Sequence, residues 1–427
     1  MRFVAALLLV ANATGAADDS WDAGKALNRE LGESTGGKVQ LIFELRSRVE
    51  YRPNQAFGND ADLFADFTRV RFGGTYKPAS WLRFSGTAMD ARAPLYGTPA
   101  PSSARDPLEW HEGFAELRPE SKLGFGAVVG RHVVNYVDTR LVGSPQWAYI
   151  PRTYDGARVY WRTARVRLEG LFIAPVKLDS SRFNKPVLGE HLVGTYNVVQ
   201  LNKHVSADLY FLGRRQNRAG GFSGAGSLAV DSFGTRLFGP IGDGYRYSVE
   251  AVKQTGQIGG VPHRAYAWAA QVARRFSTIP VDAYVEYKFA SGESRPGRSG
   301  AFDQLYPAAH DKLGHADVLG WRNVKNWRAQ ATWTGAPGLS VALMYNNSWL
   351  ADARDAAYNL QGRPIARSAT GMDGTHIGQE LDLYFAYRRS GWTAGAGYGR
   401  FLAGEFIERT SPGRSPAYAY VFQSYSF

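Results

Sequence analysis

PVDAYVEYKFASGESRPGRSGAFDQLYPAAHDKLGHADVLGWRN, residues 280–323, decides the architecture of the chain. In its first part Val281, Ala283, Val285, Tyr287 and Phe289 are apolar, and Asp282, Tyr284, Glu286 and Lys288 between them are polar or charged. A period of two puts the two sets on opposite faces of one strand. Such a strand has two homes. In a soluble sandwich the apolar face meets a second sheet. In an outer-membrane barrel it meets lipid, and the charged face lines a wet lumen. The second part, Ser291–Asn323, is a long polar loop with anchors at Phe302, Leu305, Tyr306, Leu313 and Trp321. Loops of this length are usually functional or disordered, and the anchors predict order.

The 427 residues suffice for two or three ordinary domains or for one large barrel. No long apolar run follows the N-terminus, which excludes a helical membrane protein. Yet 13% of the residues are aromatic and 48 are glycine, a composition that suits a membrane barrel, where lipid-facing and lumenal residues alternate. The chain has no cysteine, so disulfides, thiol catalysis and thiolate metal sites are excluded. That absence also suits a chain that crosses an oxidising periplasm. Net charge is +12, and arginine outnumbers lysine more than three to one. Arginine is favoured where carboxylate or phosphate is gripped in a planar, bidentate way. The basic residues alternate with acids along strands instead of clustering on a helix, which argues against nucleic acid.

In chain order, Met1–Ala17 reads as a secretory signal, with Arg2, the apolar core Phe3–Val10 and a small-residue cleavage point at Ala16 or Ala17. Residues 18–37 form a polar periplasmic lead-in with a short helix around Gly24–Leu31, and residues 38–427 form the barrel. Eighteen alternating segments run from Val39–Tyr51 to Ala417–Phe427, the fifth read as 122–136. Short connections such as Pro119–Ser121, Thr163-Ala164 and Gly335–Pro337 alternate with long ones such as Ala93–Leu108, Asp138–Asp155 and Ser291–Arg322. Gly256–Val261 is the one short exception on the long-loop side. Short turns on one rim and long loops on the other are the asymmetry of a bacterial outer-membrane barrel. The fold class is therefore all-β, a transmembrane antiparallel β-barrel of about eighteen strands with both termini periplasmic. The last segment ends at Phe427, with Tyr425 and Val421 on the same parity, and looks like the signal presented to the barrel-assembly machinery. Tyr51, Tyr76, Trp81, Tyr245, Tyr247, Trp333, Tyr387 and Trp392 are expected in interfacial girdles.

Strand parity makes Arg46, Arg48, Arg69, Arg71, Arg158, Arg162, Arg165, Arg167, Arg246 and Arg328 lumenal. The same parity puts acids inside, among them Glu44, Glu50, Glu169, Glu250, Asp282, Glu286, Glu380 and Asp382. Many of these are expected to pair with neighbouring arginines as a cross-strand ladder.

Two stretches go further. Gly130–Arg158 reads GRHVVNYVDTRLVGSPQWAYIPRTYDGAR, and Phe302–Asn323 reads FDQLYPAAHDKLGHADVLGWRN. Both resemble motifs of the alginate-export porin family, of the form GRQ…Y/F-G-D-x-R-L-V-G…W…R-T-F-D-G and F-D-x-L-Y/F-P-x-x-H-D-K-x-G-x-x-D-x-x-G-W-R-N. This chain departs from the pattern at His132, where glutamine is frequent, and at Val137, where glycine precedes the aspartate. The resemblance implies a monomeric eighteen-stranded barrel that passes an anionic polysaccharide through an arginine-rich lumen. It adds Arg131, Arg140 and Arg152 to the parity set, so the expected substrate pathway is Arg48, Arg71, Arg131, Arg140, Arg152, Arg158, Arg167 and Arg328. The loop Asp138–Asp155 is expected to fold inward and narrow the pore. Expected partners are an anionic polysaccharide or oligosaccharide, outer-membrane lipid, the barrel-assembly machinery and a periplasmic export complex, with no cofactor.

Rival readings are a porin for other small anionic or saccharide solutes, a barrel enzyme and an adhesin. His310, Asp311, His315 and Asp317 suggest general base or metal chemistry, but no third ligand at metal spacing and no framed serine accompany them, so a hydrogen-bonded loop latch is the better reading. Asp303 and Asp317 are candidate Ca2+ ligands. Gly224 and Gly226 are loop glycines, since no strand–loop–helix context surrounds them.

Overall fold

The computed structural model describes residues 22–58, 62–96, 100–118, 123–217 and 226–427. The secretory signal Met1–Ala17, the turn Pro119–Ser121 and Gly224 lie outside the described residues. The wall is built from β1 (Val39–Arg52), β2 (Leu63–Ala79), β3 (Leu82–Arg92), β4 (Asp106–Leu117), β5 (Gly124–His132), β6 (Tyr154–Arg162), β7 (Val166–Lys177), β8 (Glu190–Gln200) and β9 (Ser206–Gln216). It continues through β10 (Leu228–Gly242), β11 (Tyr245–Ile258), β12 (Val261–Arg275), β13 (Val281–Ala290), β14 (Val324–Ala336), β15 (Leu339–Leu350), β16 (His376–Arg389), β17 (Trp392–Ala403) and β18 (Ala417–Ser426). Each strand pairs antiparallel with its sequence neighbours, and β18 returns to β1 through Glu44↔Ser426 to Tyr51↔Ala419, closing the barrel. Among the described residues no helix is long and apolar enough to cross a membrane.

The alternation in β13 sorts as its sequence predicts: Glu286 and Lys288 are buried inside, and Val285 is 51% exposed on the outer face. Phe72, Phe125, Phe172 and Leu381 are exposed on the same outer surface, as lipid-facing side chains should be. Tyr51, Tyr76, Trp81, Tyr245, Trp333 and Trp392 are exposed as well, near the strand ends.

The core sits in the lumen. Val133–Thr153 and Ser291–Asn323 both turn inward and pair with each other through a parallel bridge, Val142↔Tyr306. The Tyr306 amide donates to the Leu141 carbonyl at 2.8 Å, and the Gly143 amide donates to the Tyr306 carbonyl at 2.9 Å. Val134, Tyr136, Val142, Phe302, Leu305, Tyr306 and Trp321 form one buried cluster with wall residues Tyr196, Tyr210, Leu212 and Val252. Here the structure shortens the expected fifth strand. It ends at His132, because Val134 and Tyr136 leave the wall and Tyr136 stacks on Tyr196 with centroids 4.3 Å apart. Arg214 of β9 bolts the second loop to the wall: its Nη1 donates to both Asp303 oxygens at 3.0 Å, and Glu190 lies 3.3 Å from Nη2.

α1 (Ala23–Thr35) lies at the periplasmic end of the β1–β18 seam. Asp22 caps it, accepting from the Lys25 amide at 3.2 Å, from Ser390 Oγ at 2.6 Å and from the Tyr425 hydroxyl. The Asn28 side chain brackets Leu41 of β1, accepting from its amide at 2.7 Å and donating to its carbonyl at 3.0 Å.

Two outcomes follow from these contacts. Arg214→Met leaves Asp303 and Glu190 buried without their cation, at a cost of about 3–5 kcal/mol. The second loop should then loosen, and single-channel recordings should show a larger, noisier conductance; an unchanged trace would mean that the bolt does not hold the loop. At the other rim, partial burial pushes the Asp22 carboxyl up, and hydrogen bonds from Ser390, Tyr425, Lys25 and Gly391 outweigh it, holding the group at about 2 against an ordinary 3.8. A depressed folded value means that the helix dock is fully stabilised above about pH 4 and loses that stabilisation as pH falls toward 2. Hydrogen exchange of Ala23–Thr35, corrected for intrinsic rates, should rise over that window in the parent chain. The rise should be absent in Asp22→Asn, whose side chain does not titrate.

Candidate functional site

The lumen wall carries a cluster of arginines where β1 meets β2. The charged inward residues of β1 are Glu44, Arg46, Arg48, Glu50 and Arg52, and register sets Arg46 opposite Arg69 and Glu44 opposite Arg71. Like charges directly opposite destabilise a sheet, so their neighbours must compensate. Glu44 accepts from Arg69 Nε at 2.8 Å and from Arg71 Nη2 at 2.9 Å. Glu50 lies 2.6 Å from Arg48 and 3.0 Å from Arg52. Arg46 is the remainder. It donates to the Gln146 carbonyl at 2.8 Å, stands 4.5 Å over the Trp147 ring and, among the described residues, forms no ion pair. Gln146 and Trp147 belong to the first inward loop, which crosses the lumen to reach this wall.

Most other predicted arginines are committed. Arg158 pairs with Glu169 at 3.3 Å and donates to His132 Nε2 at 3.1 Å. Arg167 also grips Glu169, and the Tyr136 hydroxyl donates to that carboxylate at 2.5 Å. Arg140 holds Asp138 and Glu286, the latter at 2.6 Å, with Glu250 at 3.7 Å. Arg152 donates to the carbonyls of Gly143, Tyr306 and Pro307 at 3.0, 2.9 and 3.1 Å, which staples one inward loop to the other. Arg328 donates to Gln330 at 3.0 Å and lies 3.9 Å from Asp311. Arg246 pairs with Asp282 at 2.5 Å. Arg162 stands over the Tyr160 ring at 5.7 Å and forms no ion pair among the described residues.

Arg131 is a correction. It shares the face of Phe125 and Val129, which are exposed on the outer surface, whereas Val128 and His132 point inward. It grips Asp155 at 2.7 and 2.9 Å and lies 3.5 Å from Glu109, so it fastens the outer rim and does not line the pathway. Motif membership brought it into the lumenal set, and strand parity places it outside.

The histidine latch takes a definite form. His310 Nδ1 lies 2.9 Å from Asp317, and the His310 ring stacks on Trp147 at 5.2 Å, a further join between the two inward loops beside the Val142↔Tyr306 bridge and Arg152. Asp303, named as a Ca2+ candidate, is paired with Arg214, and Asp317, the other, lies 2.9 Å from His310 Nδ1 and 3.5 Å from Arg52. Val137 has φ 51°, a left-handed conformation that disfavours β-branched residues. This is the position at which the motif has glycine. The lumen is not uniformly positive. Glu380 and Asp382 of β16 are buried, and Glu380 accepts from the Ala316 amide at 2.7 Å.

Comparison with known proteins agrees with this architecture. The structure of Pseudomonas aeruginosa OpdQ aligns over 91% of this chain and 97% of its own, with TM-score 0.64 and 12% identity. Pseudomonas aeruginosa OccK8 (OprE) aligns over 91% and 98%, with TM-score 0.63 and 11% identity. Pseudomonas aeruginosa OpdK with vanillate aligns over the same shares, with TM-score 0.63 and 12% identity. At these identities the likeness is one of fold. No curated protein matches the chain in sequence. The sequence profile of the alginate export family matches residues 38–421, nearly the whole barrel. The chain belongs to the alginate export family and forms an outer-membrane β-barrel porin of the bacterial envelope.

Proposed function

We propose that this porin passes an anionic, alginate-like polyuronate through its lumen, along the cationic wall of β1 and β2. Met1–Ala17 would serve as the cleaved signal, and residues 18–37 as the periplasmic lead-in that meets an export complex. The observation that carries the reading is Arg46: a lumenal guanidinium without a carboxylate partner among the described residues, set among Arg48, Arg69 and Arg71, where the first inward loop touches the wall. A polyuronate carries one carboxylate per sugar. Its passage needs fixed cations that bind weakly enough singly to let go, and a narrow, low-dielectric lumen focuses their field. The paired arginines set the wall's shape, and Arg46 and Arg162 supply the uncommitted charge. Passage by diffusion requires no covalent chemistry and no cofactor.

A second reading draws on the inward loops. Buried ion pairs and the Val142↔Tyr306 bridge narrow the lumen, which suits small carboxylates of the size of the vanillate bound to OpdK. Planar-bilayer recording separates the two. Oligomannuronate should block an anion-selective current, and Arg46→Gln should raise the half-blocking concentration severalfold. Block by benzoate-sized carboxylates but not by oligomers would favour the small-solute porin, and current insensitive to both would remove the anionic cargo altogether.

A further inference from the structure

The lipid-facing surface carries a feature that conduction does not use. Between β8 and β12 the outer wall holds an open groove of about 1060 Å3. Phe211 and Phe233 rise on one side, Tyr266 and Trp268 on the other, over a floor of small side chains. Lys253 of β11 stands in this row, opposite Phe233 on one side and Tyr266 on the other. Arg264 of β12 lies one row nearer the extracellular rim, opposite Thr255. Diagonal neighbours of this kind lie roughly 7–8 Å apart. Both cations are exposed, and among the described residues neither makes an ion pair. Asp231, opposite Thr255, is held by Arg215 at 2.6 Å.

A lysine on the lipid face is costly at the bilayer midplane and nearly free at the interface. Its aromatic neighbours mark the interfacial belt. β11 reaches the extracellular rim at Ile258 and turns back into β12 through Gly259 and Gly260 alone, so no long loop of this hairpin shields the outer face. On that argument Lys253, within the aromatic row, and Arg264, one row nearer the rim, would face the outer-leaflet headgroups, and among the described residues neither has an ion-pair partner.

We propose that this groove binds a phosphate-bearing, multiply acylated glycolipid of the outer leaflet, a lipid A. Its phosphates would lie on Lys253 and Arg264 and its acyl chains between the aromatic walls. Two adjacent cations match a diphosphorylated headgroup, whereas a zwitterionic phospholipid brings its own ammonium to its single phosphate.

Native mass spectrometry of the purified barrel, titrated with diphosphoryl lipid A and with its dephosphorylated form, tests this. The diphosphoryl form should bind about tenfold more tightly than the dephosphorylated one, and Lys253→Gln with Arg264→Gln should lose the same factor. Arg400→Gln, an outward arginine on β17 away from the groove, should bind as the parent does. Equal binding of the two lipids would overturn the site, as would parent-like binding by the double variant. Loss in Arg400→Gln as large as in the double variant would reduce the effect to general surface charge and overturn it too. The lipid comparison on the parent protein stands even if the double variant folds poorly.

Discussion

A backbone amide facing hydrocarbon has no water to bond, so a sheet in a membrane must close on itself. In this chain the obligation falls on the β1–β18 seam. Its ladder runs from Glu44↔Ser426 to Tyr51↔Ala419, and Phe427 extends it by exchanging two 3.1 Å hydrogen bonds with Phe43. Aromatic packing covers the periplasmic end, with Phe43 on Phe427 at 5.5 Å and Trp392 on Tyr425 at 5.0 Å. α1 is fastened at the same corner through Asp22. The C-terminal aromatic therefore has a place in the finished wall, whatever part it has in assembly.

Closure at eighteen strands creates the next problem. A barrel of this size has a lumen wider than its own wall side chains can fill. The two inward loops occupy it, and their pairing explains why so few lumenal arginines are uncommitted. Once a guanidinium is enclosed between loop and wall it must be compensated, and carboxylates on neighbouring strands do so. Arg140 and Arg214 are held this way inside, and Arg69 at the wall. Among the described residues the lumenal arginines left without a carboxylate, Arg46 of β1 and Arg162 of β6, are isolated positions and not a continuous lining.

The wall was legible because one face of each strand meets lipid and the other meets charge. Where both surroundings are apolar, the period of two stops carrying information. Val134 and Tyr136 keep the alternation of β5 but pack into the lumenal cluster, so the strand seemed to run on past His132. Arg214 shares its parity with the inward Tyr210 and Leu212, and that signal was available, although nothing local reveals that its partner is Asp303. The two motifs were visible as separate, residue-rich blocks. Their contact was not, because no periodicity in one strand reports on a loop that leaves the wall elsewhere.

That contact bears on the order in which the molecule is built. Arg152 and its acceptor Tyr306 are 154 residues apart, and Tyr418 and Glu50 across the seam are 368 apart. Chain closure over such spans forfeits conformational entropy before any contact repays it. Neighbouring hairpins can register as they are made, but the staple between the two loops must wait until β5, β6, β13 and β14 stand on opposite arcs of one ring. The narrowing of the pore therefore comes after the hairpins that carry the two loops, and it depends on the ring that holds them face to face.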